Sequence, residues 1–397
     1  MAPSRVGTVT FDWYPFHARV RSLAEAAVEA GYWVDVICAR QRHEPRYEVC
    51  NGVHVYRLPI NRRFDRSLPG TILNWCWFLL LAGVMVSWLH LKHPYRVIHV
   101  HNMPDFLIFA AVLPKLLGAK LILDVQDASP ELMADKAHGP LRARVTRLAI
   151  WQERLSTTFA DHVVTVGWTV EELLLQRGVP REKLTSILNS ANPAFFPPSR
   201  RSLHASASAG DDQPFILMYH GTVTERQGLD IAIRALTLAR RVAPKIRLDI
   251  KGSKEQLPTL EPLATELGVL DQVVLSSACP IAEVVDFVLH GDVGIIPYRA
   301  GGYMELVLPV KAFEFAWMHR PMIASDLRGI RSLFRPESIV LCDPARPESF
   351  AEAIIDLYQH PETRARLAAN AAEDYEPYRW EGMAKRYQQL LASLSSA

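Results

Sequence analysis

No excess of either charge sign runs through this chain of 397 residues: 44 Lys and Arg stand against 42 Asp and Glu, a formal net charge of +2. That balance argues against a nucleic-acid binder driven by bulk electrostatics. Cysteine is sparse. Cys38, Cys50, Cys76, Cys279 and Cys342 are scattered and form no CxxC pair, so neither a zinc site nor a disulfide framework is expected. No Walker motif occurs and no GxGxxG follows the first apolar strand, which disfavours ATP hydrolysis and NAD binding. No secretory signal precedes Val6–Phe11, and a cytoplasmic, reducing compartment is the expectation.

What is present reads as an ordinary folded protein, 49% apolar and 22% charged. The length exceeds one core, so two domains of about 150–200 residues each are expected. Short β-branched runs recur at Val34–Cys38, His54–Leu58, Val97–His101, Leu121–Val125, His162–Val166 and Thr185–Leu188, most of them separated by helix-length segments such as Ala18–Ala30 and Leu141–Phe159. The second half repeats the alternation at Phe215–Tyr219, Leu248–Ile250, Val273–Ser276, Val293–Pro297, Met322–Ala324 and Ile339–Cys342. Near-continuous apolar strands with helical crossovers predict parallel sheets covered on both faces. Between the halves, 196–214 has the Pro, Ser and small-residue composition of a linker. The expected class is α/β, with two doubly wound domains whose ligands bind at the carboxyl ends of the strands, in a cleft between them.

One segment breaks the alternation. Ser67–Leu91 contains no Asp, Glu, Lys or Arg, and 71–89 is apolar and long enough to cross a bilayer. Trp75, Trp77 and Trp88 sit near its ends. Arg57, Arg62, Arg63 and Arg66 precede it, and Lys92 and Arg96 follow. Three readings stay open: a span, a helix buried in the domain, and a helix on the membrane surface with basic flanks touching anionic lipid. A span would put strands of one sheet on opposite sides of the membrane, since His54–Leu58 and Val97–His101 flank it.

Polar residues gather just past strands. In the second half, His220-Gly-Thr-Val-Thr-Glu-Arg-Gln-Gly228 follows one strand and precedes the helix Leu229–Arg240. A strand, a glycine-bounded loop and a helix let backbone N–H groups of Gly221 and Thr222 approach a phosphate, and Arg226 adds a fork of donors. In Gly301–Phe315, Lys311 is a second cation and Glu314 a carboxylate that can accept from ribose hydroxyls. In the first half, His99-Val-His101-Asn-Met-Pro-Asp105 and Asp124-Val-Gln-Asp127 close adjacent strands. His101, Asp105 and Asp127 can position or deprotonate an acceptor hydroxyl. His99 shares a strand face with His101.

These residues carry a resemblance. HVHNMPDF (99–106), DVQDASPE (124–131), HGTVTERQGLD (220–230), GDVGIIPY (291–298) and LPVKAFEF (308–315) are similar to the family 4 glycosyltransferases, retaining enzymes of the GT-B type, and the likeness covers essentially the whole chain. It implies two Rossmann-like domains facing across a central cleft: 1–195 for the acceptor, a linker at 196–214, 215–370 for the nucleotide-sugar donor, and 371–397, with Trp380 and Tyr387, crossing back to the first domain. It implies sugar transfer from a nucleotide-diphosphate sugar to an acceptor hydroxyl, with no metal and no other cofactor. Asp127, His101, Arg226 and Lys311 become the expected catalytic residues. Gly221, Thr222, Arg226, Lys311, Glu314 and Glu305 become the expected donor-binding ones.

Departures from the family pattern are specific. Leu306 holds the place of its earlier glutamate, with Glu305 one residue off. Gln227 stands where a lysine often does, and Gln126 replaces a histidine, keeping hydrogen bonding without ionising. Asp12–His17 stands in place of a glycine-rich loop. A nucleotide-sugar epimerase and a non-catalytic nucleotide-sugar-binding subunit are the alternatives. With 71–89 apolar, the expected acceptor is a lipid-linked saccharide or polysaccharide of envelope or exopolysaccharide assembly, handled at the inner face of the plasma membrane.

Overall fold

The computed structural model of the protein describes residues 3–60, 68–136, 139–201 and 214–396. It divides into two compact units, Met1–Asn189 with Glu381–Ala397, and Ser190–Trp380.

The first unit is built on β1 (Arg5–Val9), β2 (Trp33–Ala39), β3 (Tyr47–Cys50), β4 (Val53–Leu58), β5 (Val97–His101), β6 (Lys120–Val125), β7 (His162–Thr165) and β8 (Leu184–Ser186). They form one sheet in the order β3-β4-β2-β1-β5-β6-β7-β8, parallel except for β3 against β4. Strand order reverses between β1 and β5, so the crevice beyond their carboxyl ends is where a doubly wound sheet takes its ligand. Sequence periodicity does not predict β3, because its residues are exposed or half-buried and carry no apolar run. Its hairpin partner was marked by Asn51-Gly52, both at positive φ, a pairing that favours tight β-turns.

The second unit uses β9 (Phe215–His220), β10 (Ile246–Gly252), β11 (Val273–Ser277), β12 (Val293–Ile296), β13 (Met322–Ser325) and β14 (Val340–Cys342). All are parallel, in the order β11-β10-β9-β12-β13-β14, and strand order reverses between β9 and β12. Gly294 fits this sheet because a Cβ there would come within 2.4 Å of the Phe315 ring.

Two boundaries differ from those expected. The chain enters the second unit at Ser190 rather than after a linker starting at 196. Phe196 is buried there, and its carbonyl accepts a hydrogen bond from Trp317 Nε1 at 2.8 Å. Of the expected linker 196–214, residues 202–213 lie outside the described residues. The return comes at 381, not 371. Helix Pro361–Tyr375 belongs to the second unit, where the Tyr375 ring packs 5.6 Å from that of Phe313. The last helix, Trp380–Ser396, docks in the first unit, with Gln388 Nε2 donating to Ala26 O at 2.9 Å.

The apolar segment is one helix, Leu68–Lys92. Phe78, Ala82, Val86 and Leu89, spaced along one face, are buried in the core with Phe11, Ile98 and Val100. The Phe78 and Phe11 rings meet edge-on at 5.0 Å. With β4 and β5 in one sheet and this face in its core, the spanning alternative is removed. Arg57, expected to flank a lipid contact, is instead buried on Glu44, Glu48 and the Tyr14 carbonyl. Arg62, Arg63 and Arg66 lie outside the described residues.

Candidate functional site

The second unit gathers its polar groups at the β9/β12 reversal. Gly221 leaves β9 at φ +119° and donates its N–H to Lys251 O at 2.9 Å. The loop closes at Gly228, which sits at φ +60°; a Cβ there would lie 1.9 Å from Pro297 O, so only glycine lets the loop lie against the end of β12. Thr222 is exposed, and its carbonyl accepts from Tyr219 Oη at 2.5 Å. Gln227 accepts from Thr224 Oγ1 and is spent on closing the turn.

Lys311 is buried on the helix Val310–Trp317. Its Nζ donates to Tyr298 Oη at 2.7 Å and lies 4.4 Å from the Tyr219 ring centre. Burial pulls its pKa down, but the phenols of Tyr219 and Tyr298 outweigh that and raise it, so the ammonium stays charged. A Cβ added to Gly221 would sit 3.6 Å from Lys311 Nζ, so the backbone leaving β9 and this cation border one space. Arg226 is half-buried with its guanidinium 5.1 Å from the Tyr303 ring centre, and its buried Nη1 has no hydrogen-bond partner among the described residues.

Glu314 is buried one turn beyond Lys311. Its Oε2 lies 3.1 Å from His220 Nε2, close enough to attract but off the line of a hydrogen bond, so both atoms keep bonding capacity for a ligand. The structure thus brings Gly221, Lys311, Glu314 and the unpredicted His220 together. It does not bring Glu305 to them: that carboxylate accepts from the Arg328 backbone N–H at 2.8 Å and closes the turn before the helix Arg328–Arg331.

In the first unit, His101 ends β5 buried. Its Nδ1 lies 2.7 Å from Asp124 Oδ2 and 3.1 Å from Gln126 Nε2, while its Nε2 is buried with no partner among the described residues. Arg19 donates to both Asp124 oxygens at 2.7 Å, and also to Ile187 O and Asn189 Oδ1. Burial pushes the Asp124 pKa up, but Arg19, aided by His101, overcomes it and holds the carboxyl well below the usual carboxylate range. Asp124 engages His101 at Nδ1, so Nε2 is the ring nitrogen left open to a ligand among the described residues. His99 stacks on His101 at 4.3 Å and shares a 2.9 Å hydrogen bond with Tyr387 Oη; burial, then the His101 neighbour, holds it neutral.

His99, His101 and Asp124 offer three ligand atoms close enough for one metal ion. They do not fit one, because the Arg19 guanidinium occupies both Asp124 oxygens and would repel a cation. Asp105 is buried beneath this strand end and accepts from Asn102 Nδ2 at 2.8 Å and Ser129 Oγ at 3.1 Å. Asp127 is half-buried just past β6, and its backbone carbonyl accepts from Asn102. Arg19 carried no sequence signal, since a buried arginine and a solvated one look alike in a helical stretch. His220 did carry one, as the last residue of an apolar strand directly before Gly221.

Two family models match in tandem: a glycosyl transferase 4-like domain over residues 17–190 and a glycosyl transferases group 1 domain over 200–374. The chain is 23% identical to D-inositol 3-phosphate glycosyltransferase 1 of Catenulispora acidiphila, a match spanning 100% of this chain and 96% of that one. Among solved structures it resembles sucrose-phosphate synthase of Thermosynechococcus elongatus, with TM-score 0.78, 19% identity and 99% of each chain covered. It also resembles the Anabaena protein HepE, solved with UDP-glucose, with TM-score 0.70, 14% identity, and 98% and 99% covered.

Proposed function

The chain belongs to the GT-B glycosyltransferases of the 4-like type, and from that premise we propose a retaining transfer from a nucleotide-diphosphate sugar, bound by the second unit, to an acceptor hydroxyl bound by the first. The observation that carries this is the buried, charged Lys311 beside the Gly221 backbone, with Glu314 Oε2 and His220 Nε2 next to it and without hydrogen-bond partners among the described residues. A cation beside a glycine turn that carries no side chain suits a diphosphate, and a buried carboxylate with spare bonding capacity suits a ribose.

In the proposed step the bond from the sugar's anomeric carbon to the β-phosphate oxygen breaks. The acceptor oxygen bonds to the same face of that carbon, and its proton passes to an oxygen of the departing diphosphate. Lys311 and Arg226 stabilise the departing charge, a role that asks for no metal and no other cofactor. On the acceptor side, His101 Nε2 and Asp127 receive and orient the attacking hydroxyl, with Asp124 and Arg19 holding the His101 ring. The acceptor is a lipid-linked saccharide or polysaccharide of envelope or exopolysaccharide assembly, reached from the cytoplasm at the inner face of the plasma membrane; the apolar helix Leu68–Lys92 supports that location. The relative named above for inositol phosphate supports a small phosphorylated acceptor equally well.

Calorimetric titration with UDP, GDP and ADP, without added metal, tests the donor half. One nucleotide is expected to saturate the wild type and to bind about 10-fold or more weakly to Glu314→Ala. Equal affinity in both proteins removes Glu314 from the site. Binding of a nucleotide without sugar transfer in product analysis, with and without acceptor, turns the reading to a binding subunit or an epimerase.

A further inference from the structure

The helix Leu68–Lys92 is apolar on all sides, yet only 28% of its most apolar stretch is buried in the fold. A helix apolar all round needs cover all round. The uncovered side is a continuous stripe of Leu73, Trp77, Leu80, Val84, Trp88 and Leu91, at helical spacing and with Leu73 72% exposed. At about 1.5 Å per residue the helix runs about 37 Å, long enough to lie along a surface rather than to plug a pocket.

The elements that pack beside this helix in the core also carry exposed apolar side chains. The turn Asp105–Ala111 packs against it, with Trp75 and Phe106 edge-on at 6.3 Å and the Ala110 carbonyl against Gly83. On its other side the same turn meets the helix Pro140–Phe159 through Phe109 and Phe159, whose rings are 5.1 Å apart. Beyond the turn Leu116 is 79% exposed, and Pro140–Phe159 adds exposed Leu148 and Trp151. Charge on these elements has one sign wherever it is exposed. Arg142, Arg144, Arg147 and Arg154 are exposed with no ion pair among the described residues. Glu153, the one acid of that helix, is buried on Arg177. Leu68–Lys92 contains no acid, and Lys92 Nζ folds back over Trp88 at 3.8 Å.

We propose that these three elements form one docking face for an anionic lipid bilayer, with Pro140–Phe159 supplying the basic contacts and Leu68–Lys92 the apolar ones. Tryptophan and leucine on the apolar stripe with arginine beside it is the composition of an interfacial surface. A second copy of the chain is a poorer occupant, because two such faces would oppose arginine to arginine. The inference rests on the membrane location proposed above and adds the surface that makes it, including a helix that the apolar run at 71–89 did not mark.

The test is co-sedimentation of the full chain with vesicles of phosphatidylcholine alone or mixed with phosphatidylglycerol. It compares wild type, Trp77→Ser/Val84→Ser and Arg144→Glu/Arg147→Glu/Arg154→Glu, with a circular dichroism melt for each. Wild type is expected on the anionic vesicles, with binding reduced about 10-fold or more by the arginine triple and by the apolar double. Unchanged binding of the triple alone overturns the role of Pro140–Phe159 while the membrane location stands. No wild-type binding overturns both. A dimer in ultracentrifugation that the apolar double dissociates assigns the face to a second copy and overturns the lipid proposal.

Discussion

Lys311 shows how a single position can be readable in type and unreadable in state. The sequence marks it as a cation three residues before Glu314, but only the fold buries it between Tyr219 and Tyr298 with its charge kept. Arg226 is held differently, half-buried over Tyr303 with an Nη1 that has no hydrogen-bond partner among the described residues. If both stabilise the leaving diphosphate, Lys311→Met and Arg226→Ala each lower kcat by at least about 10-fold with a smaller change in KM. Steady-state kinetics with the nucleotide sugar selected by calorimetry checks this. A change confined to KM would make them ground-state binders, and wild-type values in both would remove the assignment. Glu305 is the counter-example: adjacent to the family's position, it is turned to the Arg328 N–H instead. Sequence offset by one residue moves a side chain to another side of the turn, and nothing in composition reveals that.

At the scale of elements, the parallel strands were legible because burial on both faces makes them apolar throughout, as in Leu121–Val125 and Phe215–Tyr219. β3 was not, because an edge strand facing solvent has no such run. Leu68–Lys92 was legible as a helix and illegible in its packing, since apolar residues on every side hide which side the sheet covers. The structure divides it cleanly: Phe78 is fully buried and Val84 is 63% exposed. Phe78→Ala is therefore expected to destabilise the first unit by about 3–5 kcal/mol, whereas Val84→Ser changes stability by about 0.5 kcal/mol or less. Chemical denaturation of both variants measures it. Similar losses from both would mean that the exposed stripe is also covered within the fold.

On the scale of the whole molecule, the chain leaves the first unit at Asn189 and re-enters it at Glu381, and one buried polar chain in that unit touches both passages. Arg19 holds Ile187 O and Asn189 Oδ1 on one side and Asp124 on the other; His101, His99 and Tyr387 continue it to the returning helix. Composition and periodicity expose none of this, because it depends on residues 368 positions apart, from Arg19 to Tyr387, meeting in one core. A second buried network sets how stability responds to pH. Burial raises the Asp105 carboxyl to about 6. Glu153 is raised to about 7, by burial first and by Asp105 and Glu131 beside it, although Arg177 donates to it twice at 2.8 Å. Arg177 is already shared by Glu131 and Glu153 and makes no bond to Asp105, so in the folded state Asp105 and Glu153 hold protons that the unfolded chain gives up near pH 4. A carboxyl with a raised folded pKa contributes stability that is complete below its unfolded pKa and is lost as pH rises through the folded one. Asp105→Asn keeps an acceptor for Asn102 and Ser129 but does not ionise. Relative to wild type it is expected to gain stability between about pH 4 and pH 7, by up to about 3 kcal/mol at about 1.4 kcal/mol per unit. Urea denaturation of both proteins at pH 4.5 and pH 7.5 reads that difference. Parallel pH dependences would mean that Asp105 is ionised in the folded state throughout, with its charge carried by Arg177.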